Sequence, residues 1–497
     1  MAITASHVEV RGSPRRRFCA RRSAISTGAI SALAFSGSAA RATASDAALT
    51  GAIDRYNALC SDPSLVDRGV IAGFVDSMLR DGLTFDGSPQ CRSLRPAFLS
   101  RDRVAELNAA VRALSDAFAV IERHALADAS VARELGLSSD EAALASVDPG
   151  YDGSTAVSRL DTFFDERVQV VEYNADSPAG MSYDAGQARL VRNLPVMQRF
   201  MEEYDVAHVP ADRGLRESLL SVWAEFRRRK MPDAPVVPTI AIVDLAGAPT
   251  TAEFHLVARD FETNGVRAFV CSPEELTFDG GTLRAHGSQV DLVYRRLLVS
   301  DFLAHYDLRH PLAAAYRTGA VCVASSFRCK FAHKKMALAM MTDPAKRAWF
   351  DETQRLAIAR LVPRTSALDA DTLGAAIENR EMNVLKPNDD YGGRHVIVGW
   401  ECEESAWRVA LEGAVRAGGF VIQSRASARF EDFPVFDPDA PERGYTMQRL
   451  LADCNPFVFR NGEVGGYLTR LSPSAIVNVA RGGQAIPTFV IEPRGAT

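Results

Sequence analysis

Apolar positions recur at helical spacing through the first part of the chain. Ala48, Ile53, Tyr56 and Leu59 fall on one stripe, Val70, Phe74 and Met78 on a second, and Val104, Leu107, Val111, Leu114 and Phe118 on a third. Recurrence at i, i+3 and i+4 predicts amphipathic helices. Asp140–Val147 adds a short helix that Asp148-Pro149-Gly150 closes, because Pro and Gly break helical backbone. Residues 46–148 therefore read as a helical region, with no chemistry visible in it.

Beyond position 149 the period changes. Val168–Val171 is apolar and β-branched except for Gln169, a buried-strand pattern that ends in Glu172 and Asn174. Helices are predicted over Gly186–Tyr204 and Leu215–Lys230. A strand at Val236–Val243, a helix at Thr250–Thr263, a strand at Val266–Cys271 and a hairpin about Gly280-Gly281 follow. Strand, helix and strand in succession predict a parallel sheet of Rossmann type. No Gly-x-Gly-x-x-Gly is present, so dinucleotide binding has no support. A strand at Ala320–Val323 leads into a helix carrying Lys334 and Lys335. Strands at Met382–Leu385, His395–Val398, Phe420–Ser424, Tyr445–Leu451 and Phe457–Arg460, with glycine turns beyond them, predict antiparallel sheet. The fold class is α+β with an α/β subdomain, divided as a leader (1–45), the helical region (46–148), a strand and α/β unit (149–319) and a largely antiparallel region (320–497).

Composition narrows the function. The chain has 497 residues, 47% hydrophobic and 24% charged, with a net charge of -5, enough for two or three domains. There is no basic excess to attract nucleic acid. No apolar run approaches the roughly 20 residues of a membrane span. The eight cysteines are scattered with no Cys-x-x-Cys, which suggests neither a disulfide framework nor a zinc site but a reduced compartment. Basic charge rests almost wholly on Arg; the lysines are Lys230, Lys330, Lys334, Lys335, Lys346 and Lys386. Codon bias is one reading of that scarcity. The other is that a persisting lysine does what arginine does poorly, placing a compact charge on a phosphate.

Candidate chemistry gathers at a few points. Glu172 and Asn174 stand at i and i+2 of a strand and face the same way; with Asp161 upstream they offer three oxygen ligands, a donor set that suits Mg²⁺. A plain strand end with an Asx-turn at Asn174–Pro178 is the other reading. Arg295-Arg296 reads either as an anion site or as surface charge. Leu385–Arg394, with Pro387 and Gly392-Gly393, reads either as a flexible loop whose N–H groups approach phosphate or as a hairpin with an acidic tip. Gln423 lies on a strand where an adenine would find main-chain partners if this is a nucleotide hinge; the pattern fits any α+β domain as well.

Taken together, these stretches resemble the circularly permuted ATP-grasp proteins, the group that includes glutathionylspermidine synthetase and the type 2 permuted families. The resemblance runs from about Leu94 to Ile491. Arg159-x-Asp161 followed by Val-Val-Glu172-Tyr173-Asn174-Ala-Asp-Ser-Pro178 is similar to the synthetase's metal-binding segment. Pro178–Tyr183, Val290–Arg296, Leu385-Lys386-Pro387 with Gly392-Gly393, and Gly466–Arg470 through Gly483 are closer to the type 2 families. Permutation accounts for metal ligands preceding the nucleotide lysines.

The resemblance implies a helical N-terminal region, a Rossmann-like pre-ATP-grasp unit and an ATP-grasp cleft using ATP and Mg²⁺. It implies that Asp161, Glu172 and Asn174 hold Mg²⁺, that Lys335 and Lys386 contact nucleotide phosphates, and that Gly392 and Gly393 close over the triphosphate. Gln423 would sit at the adenine hinge, and Arg159 and Arg470 would stabilise charge on the transferred group. Lys334 competes with Lys335, and spacing to the apolar helix body favours Lys335. Asp389-Asp390 departs from the family's neutral loop and leaves open a cationic acceptor or a further metal there. The implied activity is ligation of small-molecule or peptide carboxylate and amine substrates, with no nucleic acid and no membrane span. The alternative is a nucleotide-binding partner protein without turnover.

Arg15-Arg16-Arg17-Phe18, a weakly apolar Ile25–Phe35 and Ala42-Thr43-Ala44 read either as a twin-arginine export signal or as a disordered leader. An ATP-consuming enzyme favours the cytoplasm.

Overall fold

Residues 39–495 are described by a computed structural model of the chain. The twin-arginine stretch lies outside them, and the first described helix, Ala39–Cys60, begins inside the segment read as a leader. The three apolar stripes become helices. Asp67 caps Arg68–Asp81 by accepting from the Val70 N–H, and Gly82 ends it in the left-handed conformation. Ser100 caps Arg101–Ala127, which buries Leu107, Val111, Leu114 and Phe118. Ser138 and Glu141 form a capping box at Ser139–Ala145.

The N-terminal region is not purely helical. Ala97–Leu99 pairs in parallel with Thr488–Pro493 near the C-terminus, a contact between distant segments with no local signature.

Three other extents differ from expectation, proline accounting for the first two. The strand expected from Val236 starts at Ile240. Val236 is 75% exposed, and Pro235 and Pro238 on either side supply no ladder donors. The helix expected over Gly186–Tyr204 divides into Met181–Arg192 and Pro195–Phe200, with Pro195 at the first turn of the second piece, where its missing N–H is harmless. The strand expected at His395–Val398 shrinks to Ile397–Val398.

The α/β portion is a four-stranded sheet in the order Cys322–Ala324, Leu292–Arg295, Ile240–Val243, Ala268–Cys271, with every neighbouring pair parallel. Thr251–Thr263 is the crossover helix, and Phe254, Val257 and Phe261 pack its inner face into the core.

Two antiparallel sheets hold the residues of interest. In the larger, Arg429–Phe436, Tyr445–Ala452, Glu463–Ser472, Asn455–Phe459, Val157–Phe164 and Val168–Asn174 follow one another, with Gln484–Ile486 also pairing Glu463–Ser472. The early strand pair thus continues the sheet built by the end of the chain; Arg159 sits opposite Phe457 on one side and Asn174 on the other. The smaller sheet runs Thr365–Ala367, Phe420–Ser424, Asn383–Pro387, Ile397–Val398. Trp407, Leu411 and Ala414 of helix Glu404–Ala417 pack with Leu385 and Ile422 of this sheet.

Candidate functional site between two antiparallel sheets

Glu172 and Asn174 lie two apart on the edge strand of the larger sheet, and Asp161 is the register partner of Glu172 across the ladder. The register shifts just after Asp161, between Asp161 and Thr162, a bulge that re-aims neighbouring side chains. One cleft is lined by Arg159, Asp161, Glu172, Asn174 and Arg470 from this sheet and by Lys386 and Gln423 from the smaller one, and Gly392 and Gly393 come from the loop beside it. Nine of the ten residues expected at the site meet there. The tenth, Lys335, reaches it through Glu172, with Nζ 2.9 Å from Oε1.

Charge in the cleft is balanced internally. Asp161 accepts from Arg159 Nε at 2.7 Å and from Arg470 Nη2 at 2.7 Å. Burial works against its charge, but the two guanidinium groups outweigh it and hold the carboxyl far below the usual carboxylate range. Arg470 is shared with Asp453, whose Oδ2 accepts from Nε at 2.7 Å. For Glu172, burial is again the largest influence and is overcome by Lys335, so its carboxyl stays low. Lys386 donates to Gln423 Oε1 at 2.7 Å and to the Val171 carbonyl at 3.1 Å. Burial brings its ammonium down to about 8, against the pull of Glu172.

Gln423 is committed to Lys386 and, through Nε2, to Thr365 Oγ1 at 3.1 Å. Its strand is paired on both sides, and the next N–H groups, of Ser424 and Arg425, go to the carbonyls of Arg364 and Met382. Beyond the sheet, Ala426 and Ala428 line the cleft.

The adjacent lysines have different partners. Lys335 serves Glu172 and the Asp390 carbonyl at 3.0 Å. Lys334 is held by Glu141 at 3.0 Å and Asp389 at 2.7 Å. The acidic loop is also turned inward: Asp389 accepts from Lys330 at 2.6 Å, and Asp390 pairs with His395 at 2.8 Å. Against the expectation of a cationic acceptor or further metal at that loop, Asp389 is taken up by Lys330 and Lys334 of the chain itself. The arginine pair is not surface charge either. Arg295 is fully buried against Asp176 at 2.5 Å, and Arg296 donates to the Pro178 carbonyl at 2.7 Å.

Among the described residues, no group of three or more His, Cys, Asp or Glu side chains is set to hold a metal. Mg²⁺ does not require one, since it is commonly bound by one or two carboxylates with the rest of its shell from water and phosphate. Glu172, Asn174 and Asp161, all oxygen donors on one cleft wall, fit that demand.

Asp453, Glu141, Lys330, Thr365 and Asn388 support the site without having stood out in the sequence. For Lys330 a signal existed in the scarcity of lysine, for Glu141 in the Ser138-x-x-Glu141 capping box and for Asn388 in the Leu385–Arg394 stretch, but none of these points to the partner across the fold; Asp453 and Thr365 sit in no local pattern. Asn388 fixes the base of the glycine loop, accepting from the Met336 N–H and donating to the Leu135 carbonyl, both at 2.8 Å. Gly136 has φ +82°, and a Cβ there would stand 2.6 Å from Asn388 Nδ2. Gly136→Ala is therefore expected to destabilise the fold by about 2 kcal/mol or more, through left-handed strain and displaced Asn388 bonds, a loss that thermal melting reads.

No family model and no curated protein sequence matches the chain. Among solved structures it is similar to D-alanyl-alanine synthetase A from Vibrio cholerae O1 biovar eltor at 10% identity and a TM-score of 0.25, over 44% of this chain and 68% of that one, a likeness too slight to carry weight. It is similar to a glutathione synthetase-like effector, GSS30, from Globodera pallida at 13% identity and a TM-score of 0.55, over 87% of this chain and 98% of that one. At that identity the likeness concerns the fold alone, a mixed α/β architecture.

Proposed function

We propose that the chain is an ATP- and Mg²⁺-dependent carboxylate–amine ligase of circularly permuted ATP-grasp type. The observation that carries this reading is the convergence on one cleft of Asp161, Glu172 and Asn174 with Lys386, Arg159, Arg470 and the Gly392-Gly393 loop, drawn from segments more than 300 residues apart (159 to 470). Those are the groups that in-line attack on a triphosphate requires.

In this reading a substrate carboxylate oxygen attacks the γ-phosphorus and ADP departs. The amine nitrogen then attacks the acyl carbon, phosphate leaves, and the amine gives up a proton as the amide forms. Bound Mg²⁺, held by Glu172 and Asn174 beside Asp161, would supply positive charge to the phosphate oxygens. Lys335 and Lys386 bring compact charge to the same oxygens, and Arg159 and Arg470 offset the charge that builds on the transferred group. The cleft measures about 160 Å³, narrower than the several hundred Å³ usual for a small-molecule site.

The test is ADP release measured against a panel of amino acids, peptides and polyamines with Mg²⁺ present. Acceptor-dependent ADP release is the expected result. Tight ATP binding without product from any acceptor would instead mark a nucleotide-binding partner protein. Among the described residues no helix is long and apolar enough to cross a membrane.

A further inference from the structure

A second chamber of about 710 Å³ opens off the cleft and shares Arg159, Asn174, Tyr391, Gly392, Arg470 and Asn478 with it. Its far wall is the loop that follows strand Ile240–Val243, beginning at Asp244. Ligands of open α/β sheets gather at the carboxyl ends of parallel strands.

Three features mark the chamber as built to receive a ligand. Tyr183 and His333 line it at 1% and 4% exposure, and among the described residues His333 Nδ1 has no hydrogen-bond partner; buried polar atoms are seldom left so. Four charged side chains on its wall, Asp244, Asp301, Arg394 and Arg481, form no ion pair within 4.0 Å among the described residues, in contrast to Asp176, Arg159 and Arg470 beside them. Leu245, Leu297, Leu298 and Leu468 supply an apolar lining.

The two acids are short of positive charge. Burial raises Asp244 to about 6 even with Arg296 nearby, and Asp301 adds to the rise. Asp301 is raised as well, by burial first and then by Asp176. A cation arriving between them would relieve both. At the mouth, where the chamber meets the cleft, Arg159 and Arg470 carry the opposite sign.

Resting on the ligase reading, we propose that this chamber holds the tail of the carboxylate substrate, and that the substrate is an amino carboxylate: its reacting carboxylate lies at Arg159 and Arg470, an aliphatic spacer lies along the leucines, and a protonated amine lies against Asp244 and Asp301. A charge-assisted contact of this kind discriminates against a ligand that lacks the amine, because among the described residues Asp244 then keeps only the Leu245 N–H, and Asp301 only Tyr391, as hydrogen-bond partners, with no ion pair for either.

The test uses the full chain with Mg²⁺ and a non-hydrolysable ATP analogue, and titrates 4-aminobutyrate, 5-aminopentanoate and 6-aminohexanoate against hexanoate and hexylamine by calorimetry. At least one amino carboxylate is expected to bind about tenfold or more tighter than hexanoate and hexylamine. Asp244→Asn and Asp301→Asn, made separately in case one fails to fold, are expected to erase most of that preference. Equal binding of hexanoate, binding of no amino carboxylate, or a preference unchanged in both variants overturns the proposal. Affinity for the ATP analogue, measured in the same titrations, is a separate readout: its absence overturns the ligase reading, whereas its presence with any of the three adverse outcomes overturns only the substrate assignment.

Discussion

Glu172→Gln is expected to lower ATP-dependent phosphate release on the order of a hundredfold or more while leaving the chain folded. The argument separates the two jobs of this side chain. As a carboxylate it carries the negative charge that a divalent cation needs, and glutamine, of the same length, does not. As an acceptor for Lys335 at 2.9 Å it is replaceable, because the glutamine carbonyl still accepts a hydrogen bond. Lys335 also keeps its bond to the Asp390 carbonyl. The stability loss should therefore stay near about 1–3 kcal/mol. Phosphate release measured over a range of Mg²⁺ concentrations, beside a urea melt, reads both. Wild-type turnover in a folded Glu172→Gln protein would remove the metal role from this strand end.

Much of that site was legible because its parts obey local rules. Residues i and i+2 of a strand face one way, so Glu172 and Asn174 could be joined from the sequence alone, and Phe420–Ser424 has the extent its pattern predicts. Lysine scarcity was informative too: Lys330, Lys334, Lys335 and Lys386 are buried around the cleft, whereas Lys230 and Lys346 pair with Asp148 and Glu134 nearer the surface.

Non-local pairing hid the rest. Asp453 matters because Glu463–Ser472 brings Arg470 back to it. Glu141 matters because a capping residue of a short helix also faces Lys334 across 193 positions of sequence. Neither relation leaves a periodic trace. The sequence of the loop Asp389-Asp390 showed its charge but not which way it turns, since direction depends on Lys330 and Lys334 being packed beneath it.

Those inward-facing acids support the second large expected effect, in Asp389→Ala. Lys330 is fully buried and Lys334 nearly so, and both ammonium groups share Asp389 and Glu141 as counter-ions. Removing Asp389 takes away the closest partner of both cations and leaves them Glu141, with Asp176 3.8 Å from Lys330 already paired to Arg295, a change of about 3 kcal/mol in stability at neutral pH.

The pH dependence separates charge from packing. Burial would raise the Asp389 carboxyl, but Lys330 first, then His333 and Lys334, hold it far below the usual range. A group depressed on folding stabilises fully above its unfolded value, near 3.9 for Asp, and loses that contribution as the pH falls towards the folded value. The gap between wild type and Asp389→Ala should therefore be widest at pH 7 and shrink steadily between about pH 5 and pH 3. Asp389→Asn, which keeps one carbonyl acceptor, should lie between the two at pH 7. Because Asn388 to Asp390 anchor the base of the Gly392-Gly393 loop, both variants should also raise the KM for ATP more than they lower kcat. Urea denaturation across that pH range decides the matter: a gap of the same size at pH 3 and pH 7 would mean that Asp389 acts by filling space, and that its charge does not hold the loop.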